Sequence, residues 1–224
     1  MRRLPLQAPL ERTRESAFSY VCGGCGSCCY NKSVSVSPYE LLRLARALGL
    51  STTLVLETYV SPEDMSLRRR DDGSCVFLRG AACGVHAGRP AACRVFPLAE
   101  VQAAPGAQAL YGELRRSLAS PGRVGEEGTV GEFLERQGLA AFDAPFAAYR
   151  AVLERLVRLL ETDHGLESEL GPEMWIDADA ALGAGAPEDP EEAWRRHVAL
   201  IERALAGLEA APSCDESGGV GGGC

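Results

Sequence analysis

Apolar side chains recur at helical spacing in several parts of the chain, and most of these parts begin with a helix-capping signal. Between residues 38 and 48 the apolar positions fall three and four residues apart, which is typical of one face of a helix. Ser37 precedes this stretch, Pro38 opens it and Glu40 completes a capping box, so a helix is predicted to begin there. Gly49 is expected to end it.

Similar signals predict five further helices: 52–60, 110–118, 129–138, 147–161 and a last one from Pro190 onward. Thr129 and Glu132 form a second capping box, and Asp189 is placed to cap the last helix. A short strand is predicted at 33–37, where Ser and Val alternate. The pattern therefore indicates a mostly α-helical fold with little β structure.

The remaining stretches lack periodicity. Residues 79–97 are expected to be mostly irregular, and 180–188 is an Ala/Gly stretch expected to be flexible. The predicted organisation is a flexible N-terminal arm (1–17), a small irregular cysteine-rich metal-centred core (18–140), C-terminal helices packed on it (141–210), and a disordered Gly/Cys tail (211–224). The tail carries Cys214 and Cys224, whose role the sequence leaves open.

Charge is distributed unevenly along the 224 residues. The net charge is −8, but residues 161–224 hold fifteen acidic side chains against three arginines, or −12, so the first 160 residues carry about +4. An acidic chain without a basic face is not expected to bind nucleic acid, whereas the acidic C-terminal half is a candidate surface for a protein partner. No apolar run is long enough for a membrane span or a signal peptide, which predicts a cytoplasmic protein.

Cysteines carry the candidate chemistry. A Gly-rich stretch of eight residues, 22–29, contains four thiols: Cys22, Cys25, Cys28 and Cys29. Two residues between cysteines is the spacing at which a turn directs both thiolates toward one metal ion. Adjacent side chains diverge, so Cys28 and Cys29 are expected to serve two metal ions, a polynuclear cluster, or one ligand and one spare thiol. Nine cysteines in an intracellular chain favour metal or redox use over disulfides.

Further cysteines follow at Cys75, Cys83 and Cys93, the second ahead of Arg89-Pro90 and the third ahead of Arg94. With this order of motifs, residues 18–140 resemble the CxxCxxCC cysteine-cluster family, described as zinc- or iron-chelating. The resemblance implies seven thiolate ligands to a metal: Cys22, Cys25, Cys28, Cys29, Cys75, Cys83 and Cys93. Thiolates select zinc, copper(I) or iron–sulfur clusters over magnesium or calcium.

Two positions depart from the family pattern. Members often carry an eighth cysteine where this chain has Ser120-Pro121-Gly122, and an aromatic residue where it has His86. His86 either replaces the missing thiol as a nitrogen ligand or fills the aromatic position. His164 and His197 are expected to be structural or solvated, and Arg89 and Arg94 either neutralise thiolates or form ordinary surface pairs.

Three functions fit these features. The first is a metal-binding protein that holds iron, as an iron–sulfur cluster, or zinc. The second is an enzyme, because flagellin lysine N-methylases share the cysteine module, which the resemblance links to an iron–sulfur cluster and S-adenosylmethionine. The third is a zinc-stapled interaction module. The sequence leaves the metal, its nuclearity, the oligomeric state and the presence of catalysis open.

Overall fold

A computed structural model describes residues 10–101, 107–114, 122–162 and 171–210 of the chain. Helix predominates in these residues, and the strands form only small sheets. The α-helices are α1 (Pro38–Leu48), α2 (Thr52–Tyr59), α3 (Ala91–Val95), α4 (Val130–Arg136), α5 (Ala140–Thr162), α6 (Pro172–Ile176), α7 (Ala178–Leu182) and α8 (Pro190–Ala210).

Short strands pair into antiparallel two-stranded sheets. They are β1 (Ala17–Val21), β2 (Val60–Ser61), β3 (Ser66–Leu67), β4 (Leu78–Arg79), β5 (Ala82–Cys83), β6 (Leu98–Val101), β7 (Leu110–Glu113) and β8 (Arg123–Thr129). Strand β1 pairs with β8, whereas β2–β3, β4–β5 and β6–β7 pair with their neighbours in sequence. The register of β1 against β8 shifts between Ala17 and Ser19, which marks a bulge.

Helix α1 begins and ends as its sequence predicts. The Ser37 side chain accepts a hydrogen bond from the backbone N–H of Glu40, and the Glu40 carboxylate accepts one from the N–H of Ser37. Gly49 adopts a left-handed φ of 68° and closes the helix. Three side chains of this helix, Leu41, Leu44 and Ala45, are fully buried in a core shared with α2 and the cysteine-rich segment.

The opposite face of α1 receives the C-terminal helices. Tyr39 is fully buried and makes edge-on ring contacts with Phe142 of α5 and Trp194 of α8. Arg46 forms a two-bonded ion pair with Asp179 of α7 at 2.6 and 2.9 Å. Helix α1 therefore lies between the cysteine-rich part of the chain and the C-terminal helices.

A buried layer between α5 and α8 completes the helical part. Val152, Trp175, Ile201 and Leu205 pack together there. His197 is fully buried in α8, and its Nε2 lies 2.7 Å from the carbonyl oxygen of Met174. This histidine has a structural role, as expected, and burial lowers its pKa.

Several predicted elements differ from the structure. The helix predicted at 110–118 is wrong at its start, since 110–113 form β7 in a hairpin with β6, and 115–118 lie outside the described residues. The stretch 33–37 contributes only one bridge, Ser35 to Ser66, and no strand. Residues 180–188 are largely ordered, because α7 continues into a 3-10 turn at Gly183–Gly185. The segment 79–97 is mostly irregular, as predicted, although it also holds β5 and α3.

The boundaries of other helices also shift. Helix α5 starts at Ala140, seven residues earlier than the predicted 147, and contains Pro145. The capping box of Thr129 and Glu132 is present at α4, and Asp189 accepts a hydrogen bond from the N–H of Glu192 at the start of α8. Within the predicted arm (1–17), Arg12 pairs with Tyr111 through an isolated bridge. Residues 1–9 and the predicted tail 211–224 lie outside the described residues.

Candidate metal centre

The Gly-rich loop before α1 turns tightly because Gly26 has no side chain. Its φ is 67°, and a Cβ at this position would lie 2.9 Å from the Leu78 side chain and 3.2 Å from the carbonyl oxygen of Ala81. The loop thus rests against the β4–β5 hairpin. A 3-10 turn, Ser27–Cys29, follows immediately, with the N–H of Cys29 donating to the carbonyl of Gly26 at 2.8 Å.

Both cysteines of the adjacent pair face the same space. Cys28 and Cys29 are joined by a side-chain hydrogen bond and line one cavity. That hydrogen bond lowers the pKa of Cys28 and raises that of Cys29, so Cys28 is the thiol that ionises first. Sequence reasoning expected the two side chains to diverge, but the turn that follows Gly26 keeps them together.

Cys75 and Cys83 are placed by backbone pairing. The N–H of Cys75 donates to the carbonyl of Cys29 at 2.7 Å, which ties the second cysteine segment to the first. Cys83 lies in β5 opposite Leu78 of β4. The N–H of Gly84 donates to the carbonyl of Phe77 at 2.9 Å and holds the end of this hairpin.

Cys93 is positioned by a carboxylate from α1. It lies in α3, whose first N–H, that of Ala91, donates to Oε1 of Glu40 at 2.8 Å. The other oxygen of Glu40 accepts from Ser37, and the residue is only 5% exposed. One buried side chain therefore caps α1 and anchors the start of α3. Sequence reasoning assigned Glu40 the first role only.

The loop between β5 and α3 also leans on α1. A Cβ on Gly88 would lie 2.7 Å from the Ala47 side chain and 2.9 Å from the carbonyl oxygen of Arg43, so only glycine allows this approach. Arg94 then ties the loop together. Its guanidinium donates to the carbonyls of Ala87, Arg89 and Gln137 at 2.6 to 3.0 Å. Arg94 thus stabilises the loop through these three hydrogen bonds.

These segments enclose a cavity of about 70 Å³. Five of the seven predicted ligands line it: Cys28, Cys29, Cys75, Cys83 and Cys93. The cationic side chains in the lining are Lys32, Arg69 and Arg89, and no carboxylate is among the described lining residues. Soft sulfur donors surrounded by positive charge match the preference of zinc and iron for thiolate ligands.

Burial keeps two of these thiols protonated in the absence of metal. It raises the pKa of Cys93 to about 12 and also raises that of Cys75, since a thiolate is poorly solvated there. Neighbouring thiols add to both shifts. A metal ion would have to displace these protons, so metal binding at this cavity releases protons.

Lys32 enters the same cavity from the loop before α1. Its Nζ lies 3.3 Å from the centroid of the Phe96 ring, a cation–π contact. Burial lowers the pKa of Lys32 to about 8, although Cys28, Cys93 and Cys29 act in the opposite direction. Sequence reasoning missed this residue, but one signal was available: it is the only lysine in a chain with 22 arginines.

The other two predicted ligands lie outside the cavity lining. Cys22 is exposed, and its sulfur accepts the N–H of Gly24 at 3.4 Å. The Cys25 sulfur lies 3.0 Å from the Ser27 hydroxyl. In the described part of the chain no three His, Cys, Asp or Glu side chains are placed so that they could hold one metal ion. The thiol chemistry of the cavity suits zinc or iron, whereas its side-chain positions do not form a coordination shell.

The structure places the remaining candidate residues differently with respect to the cavity. His86 is exposed and lies outside the cavity lining, and Arg89 and burial both lower its pKa. Arg89 lines the cavity and donates to the side chain of Gln137. His164, Ser120, Pro121, Cys214 and Cys224 lie outside the described residues.

The order of these cysteines also matches a known family model. Residues 21–112 match the CxxCxxCC family. It is described as a "putative zinc- or iron-chelating domain", which confirms the resemblance and supports metal binding. The match covers fewer than half of the 224 residues and ends before α4, so the predicted 18–140 is wider than the matched CxxCxxCC domain. No curated protein and no solved structure matches the chain.

None of the described helices combines the length and apolar character that a bilayer span requires.

Proposed function

We propose that the chain binds zinc or iron through thiolates at the cavity between the Gly-rich loop, the β4–β5 hairpin and α3. The observation that carries this proposal is that five cysteines from three separate segments line one cavity. The outermost of them, Cys28 and Cys93, lie 65 positions apart in the sequence, so only the fold brings the thiols together. Thiolate ligation by residues from different segments is typical of structural zinc sites and of iron–sulfur centres.

Charge balance supports a metal cation at this place. If all five thiols ionise, the cavity lining carries five negative charges against three positive ones from Lys32, Arg69 and Arg89. One divalent ion balances the remaining two charges. Without a cation, the thiolates would be poorly solvated and would repel one another, and burial followed by this repulsion raises the pKa of Cys93.

The proposed site needs a local rearrangement. We assign all seven cysteines to the centre, with the five of the cavity as its inner set. Cys22 and Cys25 join from the loop, where Gly24 and Gly26 both have a positive φ and leave the backbone free to adjust. The five inner thiols already line one cavity. A reducing compartment such as the cytoplasm would keep these thiols available.

The test is anaerobic purification followed by metal and acid-labile sulfide analysis. The wild-type chain should retain zinc or iron in a defined ratio. A Cys83→Ser/Cys93→Ser variant should lose it, whereas the matched double variant Cys214→Ser/Cys224→Ser should keep it. Equal metal content in all three proteins, or none in the wild type, would contradict the proposal.

The same preparation distinguishes zinc from an iron–sulfur cluster. An iron–sulfur protein is brown and contains acid-labile sulfide, whereas a zinc protein is colourless. A colourless, zinc-loaded chain would favour the zinc-stapled interaction module, with the acidic C-terminal half as the surface for a protein partner. For a methylase-like enzyme, the cluster-loaded chain would also have to bind S-adenosylmethionine, which calorimetry measures directly.

A further inference from the structure

We propose that Lys32 is the built-in counter-cation of this metal centre, so that its ammonium group stabilises the metal-loaded state and destabilises the metal-free fold. The inference rests on the proposed function and adds a positioning residue to it. Lys32 is not a ligand in this account; it acts on the thiolates through its charge.

The geometry places the ammonium group among the thiols. Lys32 lines the cavity together with the five cysteines, and its Nζ lies 3.3 Å from the centroid of the Phe96 ring. Phe96 is itself part of the lining and follows α3, which carries Cys93. The aromatic face therefore holds the positive charge at the wall of the cavity.

No carboxylate is available to balance this charge inside the cavity. The described lining contains no Asp or Glu, and the ion pairs among the described residues do not include Lys32. The groups of the lining that can become negative are its five cysteine thiols. The counter-charge of Lys32 is thus supplied by the same sulfur atoms that would bind the metal.

This arrangement makes the effect of Lys32 depend on the state of the site. In the metal-free fold, the ammonium group lies at a cavity wall whose described lining offers no carboxylate to pair with it. Metal binding removes protons from the thiols and increases the negative charge around the metal. The same ammonium group of Lys32 then gains negatively charged partners, namely the thiolates. Its removal should therefore have opposite effects on the two states.

The choice of lysine fits this role. The chain uses arginine at 22 positions and lysine only here. An ammonium is a compact point charge on a flexible stem, whereas a guanidinium is a wide planar group. A cavity of about 70 Å³ that must also admit a metal ion has more room for the smaller group.

The experiment compares the wild type with Lys32→Met and Arg150→Gln. Methionine keeps an unbranched apolar stem without the charge. Arg150 is exposed on α5, so its variant makes the same change in net charge away from the cavity. Two quantities are measured on each full chain: the apparent affinity for Co²⁺ or Zn²⁺ in competition with a chelator, and the melting temperature of the metal-free protein.

Lys32→Met should bind the metal on the order of tenfold more weakly, the scale expected for one charge several ångströms away. Its metal-free melting temperature should equal or exceed that of the wild type. Arg150→Gln should change neither quantity. Unchanged metal affinity in Lys32→Met would overturn the inference, as would a lower melting temperature of its metal-free form, because packing alone would then explain the residue.

The two proposals fail in different ways. If the wild-type chain takes up no metal in the titration, the proposed function is wrong and the role of Lys32 falls with it. If the wild type binds and Lys32→Met binds equally well, only the inference about Lys32 is wrong.

Discussion

The two faces of α1 are stabilised by different means. On the face toward the C-terminal helices, Tyr39 packs against Phe142 and Trp194, and the helices carry ordinary caps and apolar stripes. On the side of the cysteines, the chain runs through two-residue strands and a five-residue helix joined by single hydrogen bonds. Both regions have a buried apolar core, but only the cysteine side also surrounds a cavity lined with thiols among the described residues. If the proposed function holds, metal binding adds to the packing of the second region, whereas packing alone stabilises the first.

Metal removal should show the largest difference between the two regions. Because ligation free energy becomes folding free energy, chelation should reduce amide protection most between residues 75 and 97. Helices α5 and α8 should keep their protection, since packed apolar side chains hold them. Hydrogen exchange with and without chelator measures this. Equal loss in both regions would show that they unfold as one unit.

Ser substitution of the adjacent cysteines should affect metal binding unequally. Cys28→Ser and Cys29→Ser each remove one thiol from the same cavity. We expect one variant to lose the metal and melt at a lower temperature, and the other to retain most of it, because two consecutive side chains close onto one ion only with strain. Metal stoichiometry and melting temperature decide between them. Complete loss in both variants would indicate a tightly coupled polynuclear cluster.

A core substitution in the helical region should be independent of metal. Ile201 is fully buried in α8, so Ile201→Ala should destabilise the chain by about 2–5 kcal/mol. The loss should be the same in the metal-free and metal-loaded protein, as measured by urea unfolding. A loss that depends on metal would mean that the two regions are energetically coupled.

Glu40→Ala should affect both regions, because this carboxylate joins α1 to α3. Each buried N–H left without an acceptor costs about 1–3 kcal/mol. Cys93 should also lose its fixed position, and metal binding should become weaker as a result. Glu132→Ala is the matched control. It removes only the Glu132 half of the capping box of α4, while Thr129 still accepts the backbone N–H of residue 132. Equal metal affinity in the two variants would show that Glu40 does not position α3.

The smallest effect concerns pH in the helical region. Burial raises the pKa of Tyr149 from its ordinary value of 10 to about 12. The folded chain therefore holds this proton more tightly than the unfolded chain, and stability falls as pH rises from about 10 to about 12. Tyr149→Phe should reduce this dependence in the metal-free protein. An identical pH profile for both proteins would contradict the burial argument.

Features that local contacts determine were predicted correctly from the sequence, whereas features that depend on contacts between segments were not. The caps at Ser37, Thr129 and Asp189 were predicted correctly, because local side-chain to backbone bonds determine them. The β6–β7 hairpin was missed, since its strand pairing depends on contacts between segments.

The candidate site shows the same limit. The spacing of the cysteine motifs in the sequence indicated which thiols are candidates for the site. Their positions depend on tertiary contacts, namely the close approach of Gly26 to the β4–β5 hairpin and the bond of Glu40 to α3. These contacts bring Cys28 and Cys29 into one cavity and leave Cys22 exposed. No local pattern predicts either outcome.

X-ray absorption at the metal edge of the anaerobically purified chain tests the central claim most directly. If the cavity cysteines form a thiolate metal centre, the first coordination shell should consist of sulfur, at about 2.3 Å for zinc. The sulfur shell should disappear in the Cys83→Ser/Cys93→Ser variant. A first shell of nitrogen and oxygen only, or a sulfur shell unchanged by that double substitution, would contradict the account.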